Sequence, residues 1–250
     1  MEDRDARARS FGAVADRYAR ARPGYPREAV EWVLEDAHGR QVVDLAAGTG
    51  KLTAALVDVG AAVVAVEPLD EMRAALRASV PGVEALAGTA ERIPLPDRSA
   101  DAVVVGQAFH WFNPDVALAE IARVLRPGGR LGLLWNLRDG TVPWITELDR
   151  ILDWPADVVG RAGELGRAEV AGHPRFDGAE ERTFPNPEPF TAGRLVDWAA
   201  STSGVATRPA AEREALLEAV AELPARHPDL RGRATFPMPY SVVAIRSRRR

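Results

Sequence analysis

Two acids and two glycines of this 250-residue chain stand at a spacing that suits the binding of a nucleotide-type cofactor. An apolar run ends at Asp44, and a loop of small residues with Gly48 and Gly50 then leads into a helical pattern. Glycine has no Cβ atom to block a ligand or a positive φ, and the N–H groups at a helix start favour anionic groups. Glu67 ends the next apolar run roughly 20 residues further on, where βαβ sites place the acid that binds ribose hydroxyls.

The elements that position these residues alternate between strands and helices along the first half of the chain. The strands are predicted at 41–45, 63–66, 83–87, 102–105 and 130–135, and the helices at 27–38, 52–59, 70–79 and 114–125. A turn is predicted at 126–129, directly before the fifth strand. This alternation is typical of an α/β fold with a parallel sheet and right-handed crossovers.

The pattern changes after residue 136. Helices are predicted at 141–154, 191–200 and 209–223, a proline-rich segment at 184–189, and a strand at 239–245 before a solvated basic end. We therefore expect an N-terminal segment that closes over the site (1–36), a Rossmann-like cofactor-binding core (37–136), a cap that shapes the substrate pocket (137–234), and a final strand with its basic tail (235–250).

The composition restricts the classes of partner and chemistry. A hydrophobic content of 46% is enough for a sizeable core, and a net charge of −4 gives no attraction to nucleic acid or membranes. The chain has no cysteine, which excludes disulfides, thiolate metal sites and cysteine nucleophiles. It has neither an apolar run of membrane-spanning length nor a secretory signal at its charged start. We expect a cytoplasmic protein with no metal and with neither nucleic acid nor membrane as a partner.

Taken together, the motifs resemble those of the type 11 branch of class I S-adenosylmethionine-dependent methyltransferases over nearly the whole chain. The resemblance rests on the segments 22–26, 44–53, 65–68, 101–112 and 124–131. It implies an α/β, Rossmann-like seven-stranded sheet that is mostly parallel, with helices on both faces, an antiparallel last strand and a helical cap. It also implies S-adenosyl-L-methionine as cofactor and a small-molecule acceptor, methylated at a hydroxyl or carboxylate oxygen, in a monomer or homodimer. The N-terminal pattern and the segment 110–112 are similar to those of methyltransferases near the trans-aconitate methyltransferases.

The resemblance also implies a set of site residues. Those expected to bind the cofactor are Asp44, Ala46, Gly48, Gly50, Glu67, Pro68, Met72, Thr89, Ala90, Glu91 and Gln107. Those expected to bind the acceptor are Tyr18, Arg22, Tyr25, His110, Trp111 and Trp144. His110 is the candidate catalytic base, because a hydroxyl acceptor benefits from a base whereas a carboxylate is already ionised. A structural role for His110 stays open, as do core positions for Met72, Trp111 and Trp144.

Two positions depart from the family pattern. Ala46 stands where the family often has the first glycine of the loop, and we expect its methyl group to be tolerated at a negative φ. Thr89 stands where many members have an aspartate that binds the adenine amino group. The adenine contact is therefore expected from the main chain of Ala90 and from the region of Glu91.

Two alternative functions remain open at the level of sequence. A nicotinamide-dependent oxidoreductase is disfavoured because Thr53 occupies the place of the third glycine in the motif G-x-G-x-x-G. A protein that binds the cofactor without transferring a group is also possible in principle, because a fold does not determine a function.

Overall fold

A computed structural model describes residues 22–35, 41–154 and 166–250 of the chain. The strands are β1 (Gln41–Leu45), β2 (Ala62–Val66), β3 (Glu84–Leu86), β4 (Ala100–Gly106), β5 (Leu125–Arg138), β6 (Glu180–Pro185), β7 (Glu188–Phe190), β8 (Phe236–Met238) and β9 (Tyr240–Arg248). The helices are α1 (Arg27–Leu34), α2 (Lys51–Asp58), α3 (Asp70–Ser79), α4 (Pro114–Val124), α5 (Pro143–Ile151), α6 (Ala192–Ala200), α7 (Ser203–Ala206) and α8 (Ala210–Arg226). A 3₁₀ helix spans Phe109–Trp111, and residues 166–172 are also helical.

Seven strands form one sheet in the order β3-β2-β1-β4-β5-β9-β6. The strands from β3 to β5 are parallel, whereas β9 runs antiparallel to both β5 and β6. The predicted seven-stranded, mostly parallel sheet is therefore confirmed. The order places β1 and β4 side by side at its centre, so their carboxyl ends flank the crevice in which α/β sheets bind ligands.

The central strands are apolar along their length because both faces of the sheet are covered. Val103 and Val104 lie next to each other in β4, point to opposite faces, and are both fully buried. Val103 belongs to a core with α4, and Val104 belongs to a core with α1 and α2. The sheet is thereby held rigid between two helical layers.

The second half of the chain contributes to both the sheet and a separate core. β6 falls in the segment predicted as cap, yet it forms the edge of the main sheet, where the prolines of its sequence neighbourhood are tolerated. The remaining cap elements α5, α6 and α8 pack around a second cluster that includes Leu148, Leu195 and Leu223. The short pair β7 and β8 joins this cluster through Phe190 and Phe236.

The expected solvated basic tail is wrong for Arg246 and Ser247. β9 continues to Arg248, Ser247 is buried, and the guanidinium of Arg246 lies 4.4 Å from the ring centre of Trp32. The predicted turn at 126–129 is part of β5, because its main chain hydrogen-bonds to the tail: the N–H of Gly128 donates to the carbonyl of Arg249 at 3.0 Å. The aliphatic part of an arginine side chain covers apolar surface while its guanidinium reaches water. A run rich in arginine can therefore keep the alternation of buried and exposed residues that is typical of a strand.

Candidate active site

The loop after β1 owes its shape to three residues with positive φ. Ala46, Gly48 and Gly50 have φ of 59°, 55° and 88°. A Cβ atom on Gly48 would meet no atom within 4 Å, so the space beside this residue is open. A Cβ atom on Gly50 would lie 3.0 Å from Cγ of Leu76 in α3. Gly48 therefore opens the site, whereas Gly50 is buried and lets two helices approach each other.

The expected negative φ of Ala46 is wrong. Its φ of 59° lies in the left-handed region, where a Cβ atom crowds the following carbonyl oxygen. The loop must turn here to bring the N–H of Ala47 to the carbonyl of Val66, at 3.2 Å. This hydrogen bond joins the carboxyl ends of β1 and β2, and the chain accepts strain at one alanine to make it.

Asp44 is a buried acid at the carboxyl end of β1. Its Oδ2 accepts a hydrogen bond from the hydroxyl of Thr53 at 2.5 Å, and its Oδ1 has no partner among the described residues. Burial raises the pKa of Asp44 to about 7, although the hydroxyl of Thr53 opposes the shift. A hydrogen-bond donor or a cation brought by a ligand would therefore stabilise the ionised form of Asp44.

Glu67 is buried at the end of β2 and organises the main chain around it. Its Oε2 accepts from the N–H of Gly48, and its Oε1 accepts from the N–H of Leu69, both at 3.0 Å. Burial raises the pKa of Glu67, and the two main-chain N–H groups and Arg73 partly offset the shift. A carboxylate oxygen can accept more than one hydrogen bond. Each oxygen of Glu67 accepts one from the main chain, so each can accept a further one from a ligand hydroxyl.

A cleft of about 650 Å³, open to solvent, begins at this loop and runs toward the cap. At the loop end it is lined by Asp44, Ala46, Ala47, Gly48, Thr49, Lys51 and Leu52, and elsewhere by Arg22, Pro23, Tyr25, Gly106, Gln107, Asn136, Arg138, Trp198 and Tyr240. The cleft therefore extends from the main sheet to the cap, and six residues of the predicted site line it.

Tyr25 closes one side of the cleft against β4. A Cβ atom on Gly106 would lie 2.5 Å from the Tyr25 hydroxyl, so only glycine leaves room for this side chain. The segment that carries Tyr25 is tied down by two amides: Asn136 and Asn186 both donate to the carbonyl of Gly24, at 3.0 and 3.1 Å. The predicted closure of residues 1–36 over the site stays a prediction, and residues 1–21 of that segment lie outside the described residues.

Gln107 follows β4 at a positive φ of 56°, directly after Gly106. Its side-chain amide donates to the carbonyl of Asn136 at 2.9 Å, and its main-chain N–H donates to the carbonyl of Leu134 at 2.9 Å. Gln107 therefore bridges the carboxyl ends of β4 and β5 at the floor of the cleft. Its amide N–H group is committed to the protein, and we retain its predicted cofactor contact only as a proposal.

The cap end of the cleft contains a guanidinium held between two indoles. The Cζ atom of Arg138 lies 4.6 Å from the ring centres of both Trp154 and Trp198, and its Nη2 donates to Asp149 at 2.5 Å. Arg138 is thereby immobilised where β5 meets the cap. The hydroxyl of Tyr240, at the start of β9, is buried near it.

Several predicted acceptor residues lie elsewhere. Trp144 is buried in the cap core with its ring 5.5 Å from that of Phe236, and it does not line the cleft. The reason is its place on α5, whose apolar face packs against the other cap helices. Trp111 is half-buried against the main core, and His110 is exposed with its ring 4.6 Å from that of Trp111 and 5.3 Å from that of Trp135. Neither lines the described cleft, and Tyr18 lies outside the described residues.

The residues predicted around the adenine do not line the described cleft. Ala90 is buried, Thr89 is exposed, and Glu91 accepts a hydrogen bond from the N–H of Asn113 at 2.9 Å. Glu91 therefore ties its loop to the start of α4. Met72 is buried on α3, and Pro68 is exposed beside Glu67.

Ten residues that line the cleft are not among the predicted site residues, and they include Lys51, Asn136, Arg138, Trp198 and Tyr240. Lys51 and Asn136 were accessible to a sequence argument, since each directly follows a strand or loop of the crevice. Arg138, Trp198 and Tyr240 meet only because β5, α6 and β9 converge, and no spacing in the sequence signals that convergence.

The parallel sheet, the glycine turn at its carboxyl edge and the two buried acids define a Rossmann-like protein of the nucleotide-cofactor-binding class. The family model for the type 11 methyltransferase domain matches residues 43–133. An uncharacterized methyltransferase of Mycobacterium bovis is 45% identical over 238 residues, 95% of each chain. An uncharacterized methyltransferase-like protein of Schizosaccharomyces pombe is 34% identical over 243 residues, 94% of this chain and 93% of its own.

The fold agrees with these relatives. The solved structure of a candidate type II methyltransferase from Anaeromyxobacter dehalogenans superposes with a TM-score of 0.67, is 25% identical, and covers 91% of this chain and 97% of its own. The chain belongs to the class I S-adenosylmethionine-dependent methyltransferases, and S-adenosylmethionine is its cofactor. Family membership decides against the nicotinamide alternative, whereas the closer similarity to trans-aconitate methyltransferases stays a prediction.

The described residues fit this cofactor. The Oδ1 atom of Asp44 and the hydroxyl of Thr49 are buried in the cleft wall without partners among the described residues, beside the open space at Gly48. Two buried carboxylates, Asp44 and Glu67, suit a ligand that carries a cationic sulfur and ribose hydroxyls.

Within the described part of the chain, no helix is both long and apolar enough to cross a bilayer.

Proposed function

We propose that this methyltransferase acts on a small-molecule acceptor and transfers the methyl group to a hydroxyl or carboxylate oxygen. The observation that carries the proposal is the shape of the cleft: it starts at the glycine loop and ends at Tyr240, where β9 meets the cap, with Tyr25 closing one side. A cleft bounded on these sides suits a small acceptor better than a large one. A macromolecular acceptor would need an open surface around the loop.

We propose that Glu67 accepts the two ribose hydroxyls and that Asp44 and Gly48 line the methionine portion of the cofactor. Both oxygens of Glu67 are aimed by main-chain N–H groups, so the carboxylate is oriented before the cofactor arrives. Asp44 contributes negative charge where the sulfonium and ammonium groups bind. Pro68, Met72 and the segment 89–91 are proposed to surround the adenine.

The bound cofactor supplies an activated methyl group, so the protein needs to align the acceptor in line with it and exclude water. Tyr25, packed on Gly106, and the Gly24 main chain, tied to Asn136, supply this enclosure. The acceptor oxygen gains the methyl group as the bond to sulfur breaks. A carboxylate needs no proton removed, whereas a hydroxyl does. His110 is the proposed base for a hydroxyl acceptor, and because it does not line the described cleft, a carboxylate acceptor fits the cleft better.

The size of the acceptor can be tested directly. A cell extract is separated by ultrafiltration, and release of S-adenosylhomocysteine is measured after each fraction is mixed with enzyme and cofactor. We expect turnover with the filtrate. Turnover with the retained macromolecules alone would contradict the proposal, and a heat-inactivated enzyme serves as the control for background hydrolysis.

A further inference from the structure

Two buried polar groups at the cap end of the cleft have no hydrogen-bond partner within the described residues. They are the hydroxyl of Tyr240 and the indole N–H of Trp198, and both residues line the cleft. Burial raises the pKa of Tyr240 to about 12, although the charges of Arg138 and Arg22 lower it, so the hydroxyl keeps its proton at neutral pH. An indole N–H can only donate. Both groups therefore have a hydrogen without an acceptor next to this end of the cleft.

The charges around these donors are mainly positive. Arg138 is fixed between Trp154 and Trp198, and Lys51 lines the same cleft. In the described part of the chain, the Lys51 ammonium makes no ion pair, and burial lowers its pKa. A cation without a partner in a partly buried wall gains when an anion binds nearby.

The acidic group nearest to this end is already engaged. Glu188 accepts the N–H of Gly24 on Oε1 at 2.8 Å and the guanidinium of Arg194 on Oε2 at 2.5 Å. Asp149, in turn, is paired with Arg138. Within the described residues, neither carboxylate accepts a hydrogen bond from Tyr240 or Trp198, so we take the acceptor of those hydrogens to be a ligand.

We propose that the methyl acceptor carries a carboxylate, that Tyr240, Trp198 and Arg138 bind it at the cap end of the cleft, and that the Lys51 ammonium adds positive charge from the loop end. The inference rests on the proposed small-molecule function and narrows its substrate class to organic anions. A carboxylate accepts several hydrogen bonds and carries the charge that this wall favours. A neutral amide offers one oxygen and brings two donors of its own, so it fits the same wall poorly.

Binding of simple probes to the protein loaded with S-adenosylhomocysteine tests the site. Benzoate and succinate at millimolar concentration are compared with benzamide and succinamide by calorimetry. We expect the carboxylates to bind and the amides not to bind. Equal binding of acids and amides, or no binding of either acid, would overturn the carboxylate site. If S-adenosylhomocysteine binds while the acids do not, the methyltransferase function is unaffected, and the two failures are thereby distinguished.

Tyr240→Phe is the sharpest variant, because it removes only the hydroxyl that has no partner. We expect the melting temperature to be unchanged or higher, and the dissociation constant of the bound acid to rise about tenfold, the effect of one hydrogen bond to a charged group. Lys51→Gln is expected to weaken the binding of the acid in the same way. Arg150→Gln is the control, because it removes a positive charge from an exposed helix face. Unchanged acid binding in Tyr240→Phe would contradict the proposal.

The cofactor has a carboxylate of its own, and the same variant separates the two sources. S-adenosylhomocysteine and 5′-methylthioadenosine, which lacks the amino-acid portion, are titrated into the wild type and Tyr240→Phe. We expect both ligands to bind the variant as they bind the wild type. A loss confined to S-adenosylhomocysteine would show that Tyr240 binds the carboxylate of the cofactor, and the assignment to the acceptor would be wrong.

Discussion

The main-chain N–H of Gly48 donates a hydrogen bond to Oε2 of Glu67 at 3.0 Å, joining the glycine loop after β1 to the acid that ends β2. The two predicted parts of the cofactor site are therefore one structural unit. The loop is held by the same carboxylate that we propose for the ribose. Changes at Glu67 are consequently expected to act on the cofactor both directly and through the loop.

Replacement of Glu67 by glutamine is expected to weaken the binding of S-adenosylhomocysteine by roughly 10- to 100-fold, the effect of losing hydrogen bonds to a charged acceptor. Glutamine keeps the size of the side chain, so the fold is expected to persist. Calorimetric titration measures the affinity, and Glu71→Gln, an exposed residue in the first turn of α3, is the matched control. An affinity equal to that of the wild type would remove Glu67 from the ribose site.

Asp44 gives a pH dependence of stability whose sign follows from its raised pKa. Between its usual value of 3.8 and about 7, the folded protein holds a proton that the unfolded chain has released. This group therefore lowers stability as pH rises through that window, and its effect is constant above pH 7 or so. We expect Asp44→Asn to be more stable than the wild type at pH 8, on the order of 2–4 kcal/mol, with a smaller gain near pH 5.

Urea unfolding at several pH values measures this difference, and cofactor titration of Asp44→Asn is expected to show weaker binding. The variant thus trades affinity for stability. A gain in stability that did not change between pH 5 and 8 would mean that Asp44 is ionised in the folded protein throughout.

Ala46→Gly is expected to leave stability unchanged or raise it by up to about 1 kcal/mol. Relief of the left-handed strain at φ 59° exceeds or balances the entropy that glycine adds to the unfolded chain. The neighbouring Ala47 has no positive φ, so Ala47→Gly is expected to destabilise the protein by about 0.5–1 kcal/mol. Chemical unfolding of both variants decides the matter, and the same sign for the two changes would argue against strain at Ala46.

Gly106→Ala is expected to lower turnover strongly and to leave cofactor binding nearly intact. The new methyl group would lie 2.5 Å from the hydroxyl of Tyr25 and push it away from the cleft. Tyr25→Phe in the same chain removes that hydroxyl, and we expect it to recover part of the stability lost by Gly106→Ala. Gly140→Ala, where the methyl group meets no atom within 4 Å, is the control. Strictly additive effects of the two changes would contradict this contact.

The sheet and the glycine loop were predictable because their signals are local. Asp44 ends an apolar run, Glu67 ends the next, and the spacing between them is imposed by one βαβ unit. The positive φ of Ala46 was not predictable, because the hydrogen bond between Ala47 and Val66 that requires it joins different strands. Local sequence rules give no reason for a positive φ at an alanine, and here the tertiary structure imposes one.

The cap end of the site shows where such prediction stops. Trp144 and Trp198 are both tryptophans on amphipathic helices, and both are buried in the cap core, yet only Trp198 also lines the cleft. Periodicity identifies the buried face of each helix and not what that face packs against. Tyr240 reaches the cleft because β9 inserts between β5 and β6, an arrangement set by the whole sheet.

The most direct test of the central claim is calorimetric titration of the purified protein with S-adenosylmethionine, S-adenosylhomocysteine and NADH. We expect micromolar binding of the two adenosyl ligands with one site per chain and no binding of NADH. Binding of NADH without either adenosyl ligand would contradict the assignment of the loop after β1 and of Glu67 to S-adenosylmethionine.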